Sequence, residues 1–156
     1  MIVVYTGGTF DVLHAGHINF FRKIKRMYPN CKLTVSLNTD EFIEQYKGKK
    51  PVFSYKDRLQ HLEWCGYVDQ IVPNIGGEDS KPAILDTFVY WLMMERPEDM
   101  VKVIAIGQDW LSKDYCTQMQ FDAQWLTNNN IALIYMPHTD GISTTEIKKR
   151  LAHEEN

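Results

Sequence analysis

The chain has 156 residues, 44% hydrophobic and 24% charged, the balance of one soluble globular domain spanning 1–156. Its formal net charge of −3 argues against a non-specific nucleic-acid binder, which would carry a basic face. Three widely spaced cysteines (Cys31, Cys65, Cys116) fit neither a disulfide framework nor a zinc knuckle and read as reduced thiols of a cytoplasmic protein; no apolar run approaches the roughly 18 residues of a membrane span, and no signal peptide is evident.

In chain order, Ile2-Val3-Val4-Tyr5 predicts a buried strand, broken by Thr6-Gly7-Gly8-Thr9. Ile18, Phe21, Ile24 and Met27 fall at helical spacing, and Tyr28-Pro29-Asn30 ends that helix. Lys32 to Leu37 is a second strand, Leu59 to Trp64 a helix, and Gln70 to Pro73 a third strand. Gly76 to Pro82 is a loop, and Ile84 to Met94 an apolar, well-buried helix. Val101 to Ile106 is a fourth strand, Gln118 to Asn128 a helix, Ile131 to Met136 a fifth strand and Thr144 to Ala152 a closing helix. Alternating strands and helices predict an α/β fold: a doubly wound parallel sheet of about five strands with helices on both faces. Ligands of such sheets bind beyond the carboxyl ends of the strands. Those ends are Thr6–Thr9, Gly107–Trp110 and Pro137–Thr145.

The first end reads Thr6-Gly7-Gly8-Thr9-Phe10-Asp11-Val12-Leu13-His14-Ala15-Gly16-His17. Two glycines let backbone approach a ligand, and His14 and His17 share one face at a helix start. Two imidazoles beside a helix N-terminus can donate to a phosphate group. An isolated His-x-x-His pair reads equally as two core histidines. As a zinc site it lacks evident third and fourth ligands. The last end reads Gly141-Ile142-Ser143-Thr144-Thr145-Glu146. Ser143 and Glu146 have capping-box spacing, and three consecutive hydroxyl residues at a helix start also make an anion site. Lys47-Gly48-Lys49-Lys50-Pro51, with Arg58 beyond it, is either solvated surface or a basic loop able to fold over a polyphosphate.

Together these segments resemble the nucleotidylyltransferase superfamily. Gly8-Thr9-Phe10-Asp11…His14-Ala15-Gly16-His17 is similar to its GTFDxxHxGH signature, and Gly141 to Thr145 to its second signature, RTxGISTT. The chain resembles most the glycerol-3-phosphate cytidylyltransferase type, through Thr39-Asp40-Glu41-Phe42, Ser54 to Arg58, Tyr67-Val68-Asp69 and Gly107-Gln108-Asp109-Trp110. The resemblance implies a Rossmann-like fold and an enzyme that joins CTP to a small phosphorylated alcohol and releases pyrophosphate. It implies Thr9, His14, His17 and Lys47 as catalytic residues. As nucleotide or substrate contacts it implies Gly8, Phe10, Asp11, Lys49, Arg58, Asp109, Trp110, His138, Gly141, Ile142, Ser143, Thr144 and Thr145. Magnesium would arrive with the triphosphate rather than on protein ligands, and the protein would be a homodimer. An ATP-dependent adenylyltransferase and a non-catalytic nucleotide-binding module are the alternatives.

The chemistry agrees. A phosphate-monoester nucleophile has its second pKa at roughly 6, so it needs no general base near neutrality. The protein must align the reactants and offset charge on the leaving pyrophosphate. The sequence departs from the family pattern at His138, usually arginine, at Gly66, often arginine, and at Gln108, often acidic. The segment Asn74–Lys102 is longer than in short relatives, which implies an acceptor other than glycerol phosphate.

Overall fold

The computed structural model describes residues 1–77, 79–108, 115–139 and 141–154. Five strands form one sheet: β1 (Ile2–Gly8), β2 (Lys32–Asn38), β3 (Gln70–Asn74), β4 (Val101–Gly107) and β5 (Ile131–Met136). Their order is β3-β2-β1-β4-β5, and every pairing is parallel. The chain therefore winds outward from β1 to β3, then crosses back to add β4 on the other side of β1. That reversal opens a crevice beyond the carboxyl ends of β1 and β4.

The strands are buried on both faces, and their side chains alternate between two cores. Val3, Tyr5, Ile104 and Ile106 pack on one face with Ile84, Phe88 and Trp91 of α4 (Lys81–Glu95). Val4, Leu33, Val35, Leu37, Val103 and Ala105 pack on the other with Phe21 and Ile24 of α1 (Ala15–Met27) and Leu62 of α3 (Tyr55–Trp64).

Several elements differ from the sequence reading. β1 runs on through Gly7 and Gly8, which pair with Ser36 and Leu37 instead of breaking the strand. The segment before Gly48 is a helix, α2 (Asp40–Lys47). Thr39 caps it by accepting the Phe42 amide at 3.2 Å, and Gly48 ends it in the left-handed conformation, φ 73°. Lys47 thus closes a helix, and the loop proper starts at Gly48. The expected helix from Gln118 to Asn128 is two, α5 (Tyr115–Met119) and α6 (Ala123–Asn128). Gln120 turns left-handed at φ 61° between them, and Asp122 starts α6 by accepting the Trp125 amide at 2.8 Å. Helix α4 is not well buried throughout: Val89, Leu92, Met93 and Met94 are exposed. α7 (Thr144–Glu154) closes the chain.

Arg58, expected among the phosphate contacts, is instead fully buried, with 0% exposure. Its Nε donates to the Phe53 carbonyl at 3.0 Å. Its Nη1 donates to the carbonyls of Thr9 at 2.9 Å and Asn38 at 2.7 Å. Its Nη2 meets Asp40 Oδ1 at 2.6 Å. These bonds draw the guanidinium away from the crevice and tie together the ends of β1 and β2, the start of α2 and the entry to α3. Replacing it removes four bonds at once and leaves three carbonyls and a carboxylate without their donor. Arg58→Met should therefore cost about 3–5 kcal/mol, the scale for breaking a buried charge pair. Urea unfolding at neutral pH measures this, and a variant midpoint within error of the parent would refute the assigned role.

Candidate active site

The crevice holds a cavity of about 460 Å³. Its wall brings together the first and last signatures: Gly8, Thr9, Phe10, His14 and His17 from one, and Ile142, Ser143 and Thr144 from the other, with His138 beside them. Asn19 of α1 donates to Thr139 at 3.1 Å, which holds the segment after β5 against α1. A Cβ at Gly16 would lie 3.5 Å from Ile142 Cγ2, so the two helix starts are in close contact.

The histidines are fixed by the backbone. His14 is the N-cap of α1 and His17 its third residue. His14 Nδ1 accepts the Gly16 amide at 3.0 Å, and His17 Nδ1 accepts the His14 amide at 3.2 Å. An amide only donates, so each Nδ1 presents a lone pair and each neutral ring carries its proton on Nε2. The rings stack with centroids 3.8 Å apart, and Phe10 meets His17 edge-on at 5.2 Å. Burial, with repulsion from His14, brings His17 down to about 3, and burial lowers His14 too. Near neutral pH the pair therefore offers two uncharged Nε2–H donors. Gly16 is needed here for space: a Cβ would stand 2.7 Å from His14 Cε1. Gly8 serves a similar end, since a Cβ there would come within 3.0 Å of the Phe10 ring. The second glycine of the turn thus makes room for a side chain.

Thr9 sits in a polar chain that sequence reasoning missed. Asn74 donates to Asn38 Oδ1 at 3.0 Å, Asn38 donates to Thr9 Oγ1 at 3.0 Å, and Tyr46 OH lies 3.1 Å from the same oxygen. The signal was present, because Asn38 and Asn74 are polar residues ending buried strands. At α7, Ser143 Oγ accepts the Glu146 amide at 3.0 Å. Glu146 itself pairs with Arg150 at 3.4 Å, so only one arm of the capping box is made among the described residues. The first-turn amides of α7 point out of the helix N-terminus, the end of a helix where an anion is favoured.

Other candidates lie elsewhere. Asp11 is 5% exposed and accepts the Val52 and Phe53 amides, both at 2.9 Å, and Lys148 Nζ at 2.8 Å. Burial alone would raise its carboxyl; Lys148 and the two amides outweigh that and lower it. Asp11 thus anchors the segment before α3 to α7, and its carboxylate is not turned to the cavity as the sequence reading had it. Lys47 lies over the ring of Tyr46, which lines the cavity, at 5.6 Å; Lys47 and Lys49 are both exposed and do not themselves line it. Gly141 and Thr145 flank its wall. Asp109 and Trp110 lie outside the described residues. Among the described residues no group of three His, Cys, Asp or Glu side chains could hold a metal ion.

Residues 5–150 match the cytidylyltransferase-like family model. This Rossmann-like nucleotidyltransferase chain belongs to the cytidylyltransferase-like family. It is 36% identical to the glycerol-3-phosphate cytidylyltransferase of Bacillus subtilis, over 96% of each chain. It is 31% identical to the FAD synthase of Pyrococcus abyssi, over 96% of this chain and 92% of that one. A lipopolysaccharide core biosynthesis protein from Thermoplasma volcanium shares the fold, with TM-score 0.53, 24% identity and coverage of 86% of this chain and 96% of that one.

The lowered histidines make stability depend on pH in a set direction. Between about 3 and the ordinary value of 6.5 the unfolded chain holds a proton that folded His17 does not. Their contribution is complete above pH 6.5 and is lost as acid carries the solution down toward pH 3. Asp11, lowered from 3.8, adds a loss of the same sign at the acid end. The urea midpoint should fall from pH 7 to pH 4, and His17→Gln, which can still accept the cap bond, should fall less steeply. Parallel curves would show that His17 is an ordinary exposed imidazole.

Proposed function

We propose that the protein joins CTP to a small phosphorylated alcohol of the glycerol 3-phosphate kind, giving a CDP-alcohol and pyrophosphate. The observation that carries this is the meeting of two uncharged Nε2–H donors and the α7 N-terminus at one cavity. A phosphate oxygen of the acceptor attacks the α-phosphorus. The bond from that phosphorus to the bridging oxygen breaks, and pyrophosphate carries the electron pair away. No proton need be removed, because the nucleophile is largely dianionic at neutral pH, its second pKa being roughly 6. His14 and His17 donate to oxygens on and next to the α-phosphorus, where charge builds up in the transition state. Thr9, held by Asn38, adds a hydroxyl. Ser143, Thr144 and Thr145 receive the outer phosphates at the α7 N-terminus. Lys47 and Lys49 close over them from the end of α2.

Magnesium fits this site as an ion carried by the triphosphate. The Asp11 carboxylate is taken by two amides and Lys148, and such ions are commonly held by substrate phosphates with one or two carboxylates at most. When bound it would neutralise charge on the outer phosphates. The setting is cytoplasmic in this reading, in keeping with three cysteines that form no disulfide.

The assay is pyrophosphate release with CTP, ATP, GTP and UTP and glycerol 3-phosphate as acceptor. CTP should be preferred; preference for ATP would favour the adenylyl alternative, and no release with any pair would favour a binding module. His14→Ala and His17→Ala should each lower kcat by about 10²-fold, the scale of one lost preorganised donor. Lys47→Ala should raise KM for CTP more than it lowers kcat. Near-parental turnover in both histidine variants would remove them from the chemistry.

Homodimerisation belongs to the same reading. Two residues before the segment Tyr67-Val68-Asp69, Cys65 lines a groove with Val12, Leu13, Ile18, Phe53, His61 and Trp64, with Trp64 75% exposed. A second copy of the chain would cover that groove. Sedimentation should give twice the chain mass, and Trp64→Glu should shift the population to monomer; a monomeric parent at micromolar concentration refutes it.

A further inference from the structure

A second cavity, of about 400 Å³, lies between the sheet and α4 and shares Tyr5, Phe42, Asn74, Gln118 and Met119 with the first. Its lining contrasts with that of the first: among the described residues no lysine, arginine or histidine contributes to it. Ser36 of β2 and Gln70 of β3 line it, and they belong to a polar stripe. Thr34, Ser36 and Asn38 alternate along β2 on the face opposite Leu33, Val35 and Leu37, and Gln70 lies next to Thr34 on β3.

The hydrogen bonds fix the direction of this stripe. Trp91 Nε1, which can only donate, gives its proton to Thr34 Oγ1 at 2.8 Å. Thr34 therefore turns its own proton to Gln70 Oε1, 2.9 Å away. The Gln70 amide is left with its NH2 as a donor pair that meets no acceptor among the described residues. From α4, Asp86 brings an exposed carboxylate to the cavity rim, with no hydrogen bond or ion pair among the described residues. The other acid of the lining, Asp79, is already paired with Lys81 at 3.2 Å. Tyr90 adds a phenol to the same wall.

From this juxtaposition of a fixed donor pair, an unpaired carboxylate and a hydroxyl-lined floor next to the phosphate site, we infer that the second cavity takes the carbon chain of a phosphorylated polyol longer than glycerol. This rests on the transfer reaction proposed above. Hydroxyls answer every group present: they accept from Gln70 and donate to Asp86. An ammonium group would suit Asp86 and leave the Gln70 donors unmatched. A purely apolar tail would leave both unmatched, at the cost of burying unpaired polar groups. Three carbons would be held at the first cavity by their phosphate and reach little of the second.

The test compares the phosphate monoesters of glycerol, erythritol and ribitol, with phosphoethanolamine as the cationic probe. With the nucleotide saturating, kcat/KM should be at least about tenfold higher for one of the longer polyols than for glycerol, the range expected of a site that reads hydroxyls. Asp86→Ala and, separately, Ala83→Phe, which fills the cavity from α4, should each reduce that preference ratio at least tenfold. Titration calorimetry of the same four esters without nucleotide should give the same order. That second measurement stands even if CTP proves not to be the donor, so failure of the cavity and failure of the reaction are separable. Glycerol phosphate as the best ligand in both measurements, a preference for phosphoethanolamine, or a ratio unmoved by both variants would each overturn the inference.

Discussion

The guanidinium of Arg58 is the constraint on which the crevice depends. It is fully buried, and its four hydrogen bonds reach the carbonyls of Thr9, Asn38 and Phe53 and the carboxylate of Asp40. Thr9 follows β1, Asn38 ends β2 and Phe53 precedes α3, so the three carbonyls lie where regular structure stops or starts. A buried carbonyl without a donor costs as much as a lost hydrogen bond, so three such groups would push the loops apart. One planar cation with five N–H groups satisfies them together, and its charge is balanced by Asp40. Thr9 and Asn38 keep their side chains on the cavity because Arg58 holds their carbonyls.

The two faces of the sheet have divided tasks. On the α1 side the strands present apolar groups apart from Thr6 of β1, which is buried and reaches the first cavity. On the α4 side the character changes along β2, from Thr34 beneath Trp91, through Ser36, to Asn38 at the crevice. A parallel strand buried on both faces normally reads as a continuous apolar run. The alternating hydroxyl and amide groups of β2 break that rule, and each of these groups has a partner or lines a cavity.

The sequence was most informative where chemistry and local structure coincide. Short apolar runs located all five strands, because a buried parallel strand has few other ways to be written. The two signatures marked the crevice, and the structure brings them into contact through Gly16 and Ile142. Helix α2 was missed although its signs were present: Thr39 as cap, Asp40 and Glu41 in the first turn and Gly48 at the end. Its low hydrophobicity concealed it, since Ile43 is its one buried residue. The break at Gln120 followed from a cap at Asp122 that the apolar pattern runs straight through. Arg58 and Asp11 were legible as charged residues near a phosphate signature, but charge does not tell where a side chain turns. Both are drawn inward by backbone groups whose lack of partners only the folded loops reveal.

The backbone hold on the two histidines also bears on how the cavity empties. A charged donor attracts an anion over a long range, with an energy falling only as the inverse of distance, so it retards departure as well as aiding arrival. A neutral imidazole acts on an oxygen through one short bond that is lost within the first ångström or two of motion. With His14 and His17 kept uncharged by burial, in the proposed reaction their grip on a phosphate would be strong at contact and weak beyond it. Long-range attraction would then fall to Lys47 and Lys49, on the exposed end of α2 and the loop after it. On that reading, binding force and chemical force would sit on different parts of the molecule, and the site could let go of a polyanion as readily as it takes one in.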